Sequence, residues 1–428
     1  MNEKQLTEQL NAKTKEERLE ALRGLRAMLD AGEIEKPVRT EDTNNHVHTT
    51  FSFSSYSPTA AVYKAYMSGL ATVGIVDHDT VDGAHEFIEA GDIIGITTTI
   101  GAEVRVSFAG TPLEDKKINN PDEVGNAYIT LHGIPHSKIE ELDALLMRVR
   151  EARNERNRKQ VDNLNRILLE HQIYIDFDED VVPVSMAAEG GSITERHILF
   201  ALAKKLIEKY GRGQALVDFL QNNMGIGISP KTKEMLLDTE FYAYEYDVLN
   251  VLKANLVPRF YVPGGADIPP VKEVVDYARQ LGVIPTYCYL GDVDDSPTGD
   301  KKAQKFEDGY LTTLMVLLRE LGFEAVSYMP ARNTEEQLKC IMNMCKHYGF
   351  MEISGEDVNQ PRQSFVCEKL RDPEFAHLAD STWALVGHEH ATEENIAYSI
   401  YSKKAKHEHP DMESRIAYYR DLGLKYRK

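Results

Sequence analysis

The feature that most constrains the fold is a repeated unit in the second half of the chain, in which an amphipathic helix ends at a glycine and a short apolar strand follows. Three such units are predicted, with Gly282, Gly322 and Gly349 between helix and strand. Glycine is favoured there because the residue after a helix commonly takes left-handed backbone angles. Successive helix–strand units build parallel strands with right-handed crossovers, which predicts an α/β barrel or a doubly wound sheet.

A similar alternation of strands and helices begins near residue 44 and is interrupted by a helical stretch. Residues 139–172 predict one long charged helix, whose run RVREARNERNRKQ we interpret as its solvent-exposed side. Ser192 and Glu195 form a predicted capping box that opens a further helix. The stretch is therefore predicted to be a helical insertion into an α/β body.

The amino-acid composition restricts the classes of partner that the chain can bind. With 42% hydrophobic residues in 428, the chain can bury a large core, and 49 Lys+Arg against 68 Asp+Glu give a net charge of −19. An acidic balance argues against a broad basic footprint for duplex nucleic acid or anionic membrane. The four scattered cysteines do not make a disulfide scaffold, and no signal peptide or apolar span is evident. We expect a cytoplasmic protein with no membrane partner.

Histidines and carboxylates follow the predicted strands. His46 and His48 lie two apart on a strand, so both imidazoles face the same side and can bind one ion. The pairs at 388–390 and 407–409 lie in polar C-terminal segments, and we interpret them as exposed residues without a metal role. Chemistry in α/β barrels collects at the carboxyl ends of the strands. The candidates that end or follow strands, and thus predict a metal site, are His46, His48, Asp77, His78, Glu103, His132 and Asp357.

Six motifs resemble those of the PHP family, named for its polymerase and histidinol phosphatase members. They are HVHTTFS (46–52), VDHDTVDG (76–83), GAEV (101–104), LHGI (131–134), TERHILFAL (194–202) and SGEDVN (354–359). The resemblance spans about 44–205 and, more loosely, 265–360. It implies an α/β fold, a distorted (β/α)7 TIM-like barrel with metal ions at the strand carboxyl ends, and hydrolysis of phosphate esters. The insertion-bearing branch includes nucleotide phosphoesterases and short-RNA 5′-exonucleases.

With a barrel as the expected core, the changes of pattern divide the chain into four parts. These are a helical N-terminal appendage at 1–40, the first part of the barrel at 41–140, the helical insertion at 141–255, and the second part with C-terminal helices at 256–428.

The resemblance also implies a ligand set. His46 and His48 would hold one ion with Glu103 and Asp357, and Glu103 would bridge to a second ion held by His132 and His197. The chain departs from the branch at three places: Phe53 replaces an aspartate, Asn359 replaces a histidine, and Cys288 stands where an A-H-P motif is common. Asparagine is a weaker ligand, so Asn359 is at most a weak metal or substrate contact. We expect two divalent ions (Mn²⁺, Zn²⁺ or Fe²⁺) and no third.

These residues predict a metal-dependent phosphoesterase, in which a metal-activated hydroxide attacks a phosphate ester of a small phosphorylated metabolite or nucleotide. His78 and Asp77 are the predicted acid/base pair, or residues that support the ligands. The candidates for phosphate binding are Arg196, Arg105 and Arg332. Three alternatives stay open: a 5′-exonuclease acting on short oligonucleotides, a barrel that has lost activity and binds or regulates, and C–N hydrolysis.

Overall fold

The computed structural model describes residues 1–295 and 302–428, with the backbone alone described at 293–295 and 302–303. The strands are β1 Thr43–Val47, β2 Thr72–His78, β3 Thr97–Ser107, β4 Asn126–His132, β5 Ile284–Cys288, β6 Val293–Asp295, β7 Lys302–Gln304, β8 Ala325–Tyr328 and β9 Met351–Ser354. The helices are α1 Glu3–Gln9, α2 Lys15–Ala31, α3 Pro58–Met67, α4 Ala84–Ile94, α5 Ile139–Leu168, α6 Glu195–Tyr210, α7 Gln214–Asp218, α8 Pro230–Leu237, α9 Tyr244–Phe260, α10 Val271–Gln280, α11 Leu311–Leu321, α12 Glu335–Tyr348, α13 Ala376–Glu394, α14 Lys403–Glu408 and α15 Met412–Gly423.

Seven strands form one mixed sheet that curls into a nearly closed barrel, in the order β1-β2-β3-β4-β5-β8-β9. The outer strands are β1 and β9. Val47, at the end of β1, pairs in parallel with Val358, which follows β9, and the His48 amide donates to the Val358 carbonyl at 2.9 Å. This contact brings the segment after β9 against the end of β1. The predicted fold class, an α/β barrel with many helices, is confirmed.

The expectation that His132 ends a strand at the same rim as the other candidates is wrong, because β4 runs antiparallel to both β3 and β5. His132 lies opposite Gly101, two residues before Glu103 on β3, and is therefore deeper in the barrel. Tyr128, near the start of β4, lies opposite Arg105.

The helix–glycine–strand units of the second half are present. Gly322 and Gly349 have φ of +98° and +69° at the ends of α11 and α12, the left-handed conformation that favours glycine. The units place α10, α11 and α12 before β5, β8 and β9.

Helices α5 to α9 lie between β4 and β5 in the chain and build a second hydrophobic core, which also includes Phe53. The predicted exposure of the α5 arginines is wrong, since Arg150, Arg153 and Arg156 are all buried. Their spacing of three residues puts them on one side of the helix, facing carboxylates of the barrel and of α6. The predicted cap of α6 is also wrong, because the N-cap is Thr194 and the partner in its capping box is His197.

The C-terminal helix α13 packs against the barrel, and its HEH sequence is not exposed as predicted. His388 and Glu389 are buried, and the Glu389 carboxylate accepts the Ile100 amide at 2.8 Å. The His388 ring lies 2.9 Å from the Gly282 carbonyl and accepts the Ile400 amide. These residues support the fold. None of the helices in the described ranges is long and apolar enough to span a membrane.

Candidate active site

A cavity of about 430 Å³ opens between the barrel and the insertion. The barrel contributes the inward side chains of its strand ends, and α6 and α9 contribute Leu199, Val257 and neighbouring residues from the insertion. Enclosed clefts of this size commonly hold small molecules. The predicted site residues that line it are His46, His48, His78, Glu103, Arg105, His132, Arg196, Arg332, Asp357 and Asn359.

The centre of the site is a group of three residues, His46, His48 and Glu103, whose ligand atoms lie within 4.8 Å of one another. The Glu103 Oε2 atom is 3.8 Å from His46 Nε2 and 3.7 Å from His48 Nε2. Burial opposes ionisation of Glu103, but the neighbouring imidazoles, His78 foremost, lower its pKa to about 2. The site therefore holds a carboxylate between imidazoles at neutral pH.

Asp357 joins this group from the segment after β9, with its Oδ1 atom 3.3 Å from His48 Nε2. The Asn359 amide donates to the same Oδ1 atom at 2.6 Å and so orients the Asp357 carboxylate. Asn359 Oδ1 is buried without a hydrogen-bond partner. Glycine is required at position 355, because a Cβ atom there would lie 2.6 Å from the backbone nitrogen of His46.

His78 ends β2 with its Nδ1 atom 3.0 Å from Glu103 Oε2. Burial lowers the pKa of His78 well below its ordinary value, against the attraction of Glu103. The imidazole is therefore neutral at physiological pH. A neutral ring serves better as a ligand or hydrogen-bond donor than as the general acid that we predicted from its ordinary pKa.

Asp77 lies behind the imidazoles and does not line the cavity. Its carboxylate accepts hydrogen bonds from the Thr49 amide at 2.6 Å and from the Ser52 hydroxyl at 2.6 Å. The Ser52 hydroxyl is in turn 3.3 Å from His48 Nδ1. This arrangement orients the His48 ring, which corresponds to the supporting role among the two predicted for Asp77.

His132 and His197 were predicted to hold a second ion, and their surroundings differ. His132 lines the cavity below Glu103, and burial together with the nearby His46 lowers its pKa to about 3. His197 does not line the cavity: its Nδ1 atom accepts the Thr194 amide at 3.0 Å. Its ring packs edge-on against Phe53, with centroids 5.0 Å apart. Phe53 thus replaces a potential ligand with an apolar contact that also engages His197.

The three predicted phosphate-binding arginines differ in their partners. Arg105 is buried in an ion pair with Asp267 at 2.6 Å. Arg332 follows β8 and lines the cavity. Arg196 lines the cavity near His78 and Asp357, and in the described part of the chain it makes no hydrogen bond or ion pair. Arg196 is therefore the cation best available to an anionic ligand.

A buried chain of alternating charges lies beside the metal group and was not predicted from the sequence. The pairs are Arg105–Asp267 (2.6 Å), Asp267–Arg156 (2.9 Å), Arg156–Glu195 (2.6 Å), Glu195–Arg153 (3.1 Å) and Arg153–Asp79. Asp79 has a φ of +54°, a left-handed conformation that aspartate tolerates better than most residues. The three-residue spacing of arginines on α5 could have indicated the buried face. Tyr128, four residues before His132 on a strand, could likewise have been placed on the inward side.

Three features of the site fit a divalent cation. The ligand atoms of His46, His48 and Glu103 are close enough to share one ion. His46 Nε2 is buried and has no hydrogen-bond partner among the described residues. Imidazole and carboxylate are donors that suit zinc, iron and manganese, so His46, His48, Glu103 and Asp357 would hold such an ion.

Three comparisons relate the chain to known proteins. Residues 44–210 match the profile of the PHP domain. A curated relative, the 5′-3′ exoribonuclease of Haemophilus influenzae, is 34% identical over 71 residues, which are 17% of this chain and 26% of that protein. The chain thus matches only about a quarter of the length of this relative.

One solved structure shares the fold, and a second gives a weaker superposition. A Bifidobacterium adolescentis protein, provisionally described as a metal-dependent phosphoesterase, superposes with a TM-score of 0.50 and 20% identity, over 80% of this chain and 96% of that one. An amidohydrolase from Chromobacterium violaceum gives a TM-score of 0.49 and 17% identity, over 79% and 96% of the two chains.

Proposed function

We propose that the chain, whose residues 44–210 match the PHP domain, is a metal-dependent phosphoesterase acting on a small phosphorylated metabolite or nucleotide. The observation that carries the proposal is the group of His46, His48 and Glu103 at the inner end of a cavity of small-molecule size. Bound there, a divalent cation supplies a Lewis acid for phosphoryl oxygens and lowers the pKa of a water molecule. The metal identity we propose is Mn²⁺, Zn²⁺ or Fe²⁺.

The protein's own residues orient the reactants. His46, His48, Glu103 and Asp357 are the proposed ligands of the first ion. His78 and His132 are neutral imidazoles beside Glu103 and are proposed to complete a second position. We do not assign His197 to that position, because its Nδ1 atom already accepts a backbone hydrogen bond.

Arg196 is the proposed ligand of the phosphoryl group. A guanidinium can bind two phosphate oxygens, and that of Arg196 lies near Asp357 but forms no ion pair with a described residue. Arg105 is assigned no direct phosphate contact because Asp267 already pairs with it. Asp77 acts through Ser52 and His48 and is a positioning residue.

The second candidate is a nuclease of the same chemistry, and the local match to an exoribonuclease favours it. An oligonucleotide needs a groove with surplus positive charge along its backbone. Five Arg or Lys and four Asp or Glu line the cavity among the described residues, so such a surplus is small. We therefore rank hydrolysis of small esters first.

The experiment compares 4-nitrophenyl phosphate with bis(4-nitrophenyl) phosphate as substrates of the chelator-treated protein supplied with Mn²⁺, Zn²⁺ or Fe²⁺. We expect metal-dependent release of nitrophenol from the monoester and a fall of at least a thousandfold in kcat for Glu103→Gln. Glu273→Gln, an exposed glutamate on α10, is the matched control and should retain full activity. Faster hydrolysis of the diester, followed by cleavage of short RNA, would favour the nuclease. No hydrolysis with any of these metals would overturn the proposal.

A further inference from the structure

The cavity has a second end that the proposed metal chemistry does not use. Its lining there includes Arg105 and Tyr128 from the barrel, Arg153 from α5 and Tyr261 at the end of α9. Arg105 and Tyr128 are cross-strand partners on β3 and β4. Tyr261 lies beneath the Arg156 guanidinium, with its ring centroid 5.5 Å from Cζ. Arg105 lies two residues beyond Glu103 along β3, on the same face of the strand.

This end is rich in unused hydrogen-bond donors. The Nε atoms of Arg105 and Arg153 are buried and lack a hydrogen-bond partner. The hydroxyl groups of Tyr128 and Tyr261 make no hydrogen bond within the described residues. The two tyrosines line the cavity, where the oxygen atoms of a ligand can accept hydrogen bonds from their hydroxyl groups.

The charge of this end is balanced. Arg105, Arg153 and Arg156 alternate with Asp79, Glu195 and Asp267 in the buried chain of ion pairs, one carboxylate for each guanidinium. Among the described residues, this chain of ion pairs therefore leaves no surplus positive charge for a second phosphate. Donors without surplus charge suit neutral acceptors, such as the hydroxyl and ring oxygens of a sugar.

We propose that Arg105, Tyr128, Arg153 and Tyr261 form a subsite for the neutral, oxygen-rich alcohol part of the substrate, and that they select monophosphates of sugar-like alcohols over bisphosphates. This inference rests on the proposed phosphoesterase function. The phosphoryl group then lies between the metal ligands and Arg196, and the alcohol extends toward α9. The subsite selects sugar-like alcohols, because a site that donates hydrogen bonds discriminates against a ligand that cannot accept them.

The test uses Tyr261→Phe, which keeps the ring and removes one hydroxyl. Ribose 5-phosphate and phenyl phosphate are compared as substrates with polar and apolar alcohol parts. We expect kcat/KM for ribose 5-phosphate to fall about tenfold more than that for phenyl phosphate, the usual effect of one lost hydrogen bond. Tyr242→Phe, an exposed tyrosine outside the cavity, should leave both values unchanged. Ribose 1,5-bisphosphate should be hydrolysed at least tenfold less efficiently than ribose 5-phosphate.

A binding measurement separates this inference from the phosphoesterase proposal. Saturation-transfer NMR of ribose with the metal-free protein should detect binding that Tyr261→Phe weakens. Ribose binding without any ester hydrolysis would overturn the phosphoesterase function and leave the subsite standing. Hydrolysis in which Tyr261→Phe affects both substrates equally, or in which the bisphosphate is preferred, would overturn the subsite.

Discussion

At the scale of single residues, the proposed metal ligands depend on neighbouring side chains that hold them in place. Period-two spacing placed His46 and His48 on one face, and both lie with Glu103 in the structure. The hydrogen bonds from Ser52 and Thr49 to Asp77 depend on how the loop after β1 folds back, which no spacing rule states. Sequence patterns therefore identify residues that chemistry requires, whereas the residues that hold them in place emerge from tertiary structure.

Replacing Asp77 by asparagine tests this support. The amide keeps the shape but presents NH₂ where a carboxylate now accepts hydrogen bonds from Thr49 and Ser52. We expect the free energy of unfolding to fall by about 1–3 kcal/mol and metal affinity to fall about 10–100-fold. Urea unfolding and calorimetric Mn²⁺ titration measure the two effects. An unchanged metal affinity would remove Asp77 from its positioning role.

Asp82 provides a pH prediction. Burial and the nearby Asp143 carboxylate raise its pKa to about 6, above the value in an unfolded chain. The folded state thus binds the proton more tightly, so Asp82 costs stability progressively as the pH rises from about 4 to 6, and the full cost is present at pH 7. Asp82→Asn should stabilise the protein by about 1–2 kcal/mol at pH 7.5, after allowance for a side chain that is one-third exposed, and by nearly nothing at pH 4. Thermal unfolding at several pH values measures this difference.

The control for this prediction is Asp162→Asn, an exposed aspartate on α5. It should show no such pH-dependent gain in stability. An equal gain for Asp82→Asn at pH 4 and pH 7.5 would contradict the prediction.

At the scale of elements, the sequence predicted which segments are helices and strands better than how they pair. The helix–glycine–strand units predicted the parallel strands β5, β8 and β9, but the period-two geometry of side chains along β4 is the same whichever way the strand pairs. Because the direction of β4 was not predicted, His132 lies deeper than expected, and Tyr128 was not recognised as a residue that lines the cavity. A charged helix such as α5 is similarly ambiguous: arginines on its buried side are stable only because Asp79, Glu195 and Asp267 arrive from distant parts of the chain.

The N-terminal helices show a buried pair that fastens one element to another. Arg18 on α2 is 2% exposed and donates to both carboxylate oxygens of Glu86 on α4, at 2.9 and 2.5 Å. Arg18→Ala would leave the buried Glu86 carboxylate without its cation, and we expect a loss of about 3–5 kcal/mol in urea unfolding. Arg23→Ala, which removes the half-exposed pair with Glu89 on the same two helices, should cost less than about 1 kcal/mol. Equal losses would show that Arg18 acts only through packing area.

At the scale of the whole molecule, the net charge of −19 gives little information about the active site. The cavity wall holds nearly balanced charges, and the metal group needs carboxylates. The barrel brings Glu103, His46 and His48 close together. Within the described residues, His46 Nε2 has no hydrogen-bond partner. A folded protein with such a gap in its hydrogen bonding should be stabilised by the ion that fills it.

Metal linkage to folding therefore gives the last prediction. A cation that binds the folded chain and not the unfolded one stabilises by about 2.7 kcal/mol at a concentration 100 times its Kd. We expect the Tm of the chelator-treated protein to rise with added Mn²⁺ and to fall back when chelator is restored. Glu103→Gln should lose this rise, because it removes the carboxylate shared by His46, His48 and His78. Glu273→Gln should keep the full rise, and an equal shift in both variants would show that the cation binds elsewhere on this acidic surface.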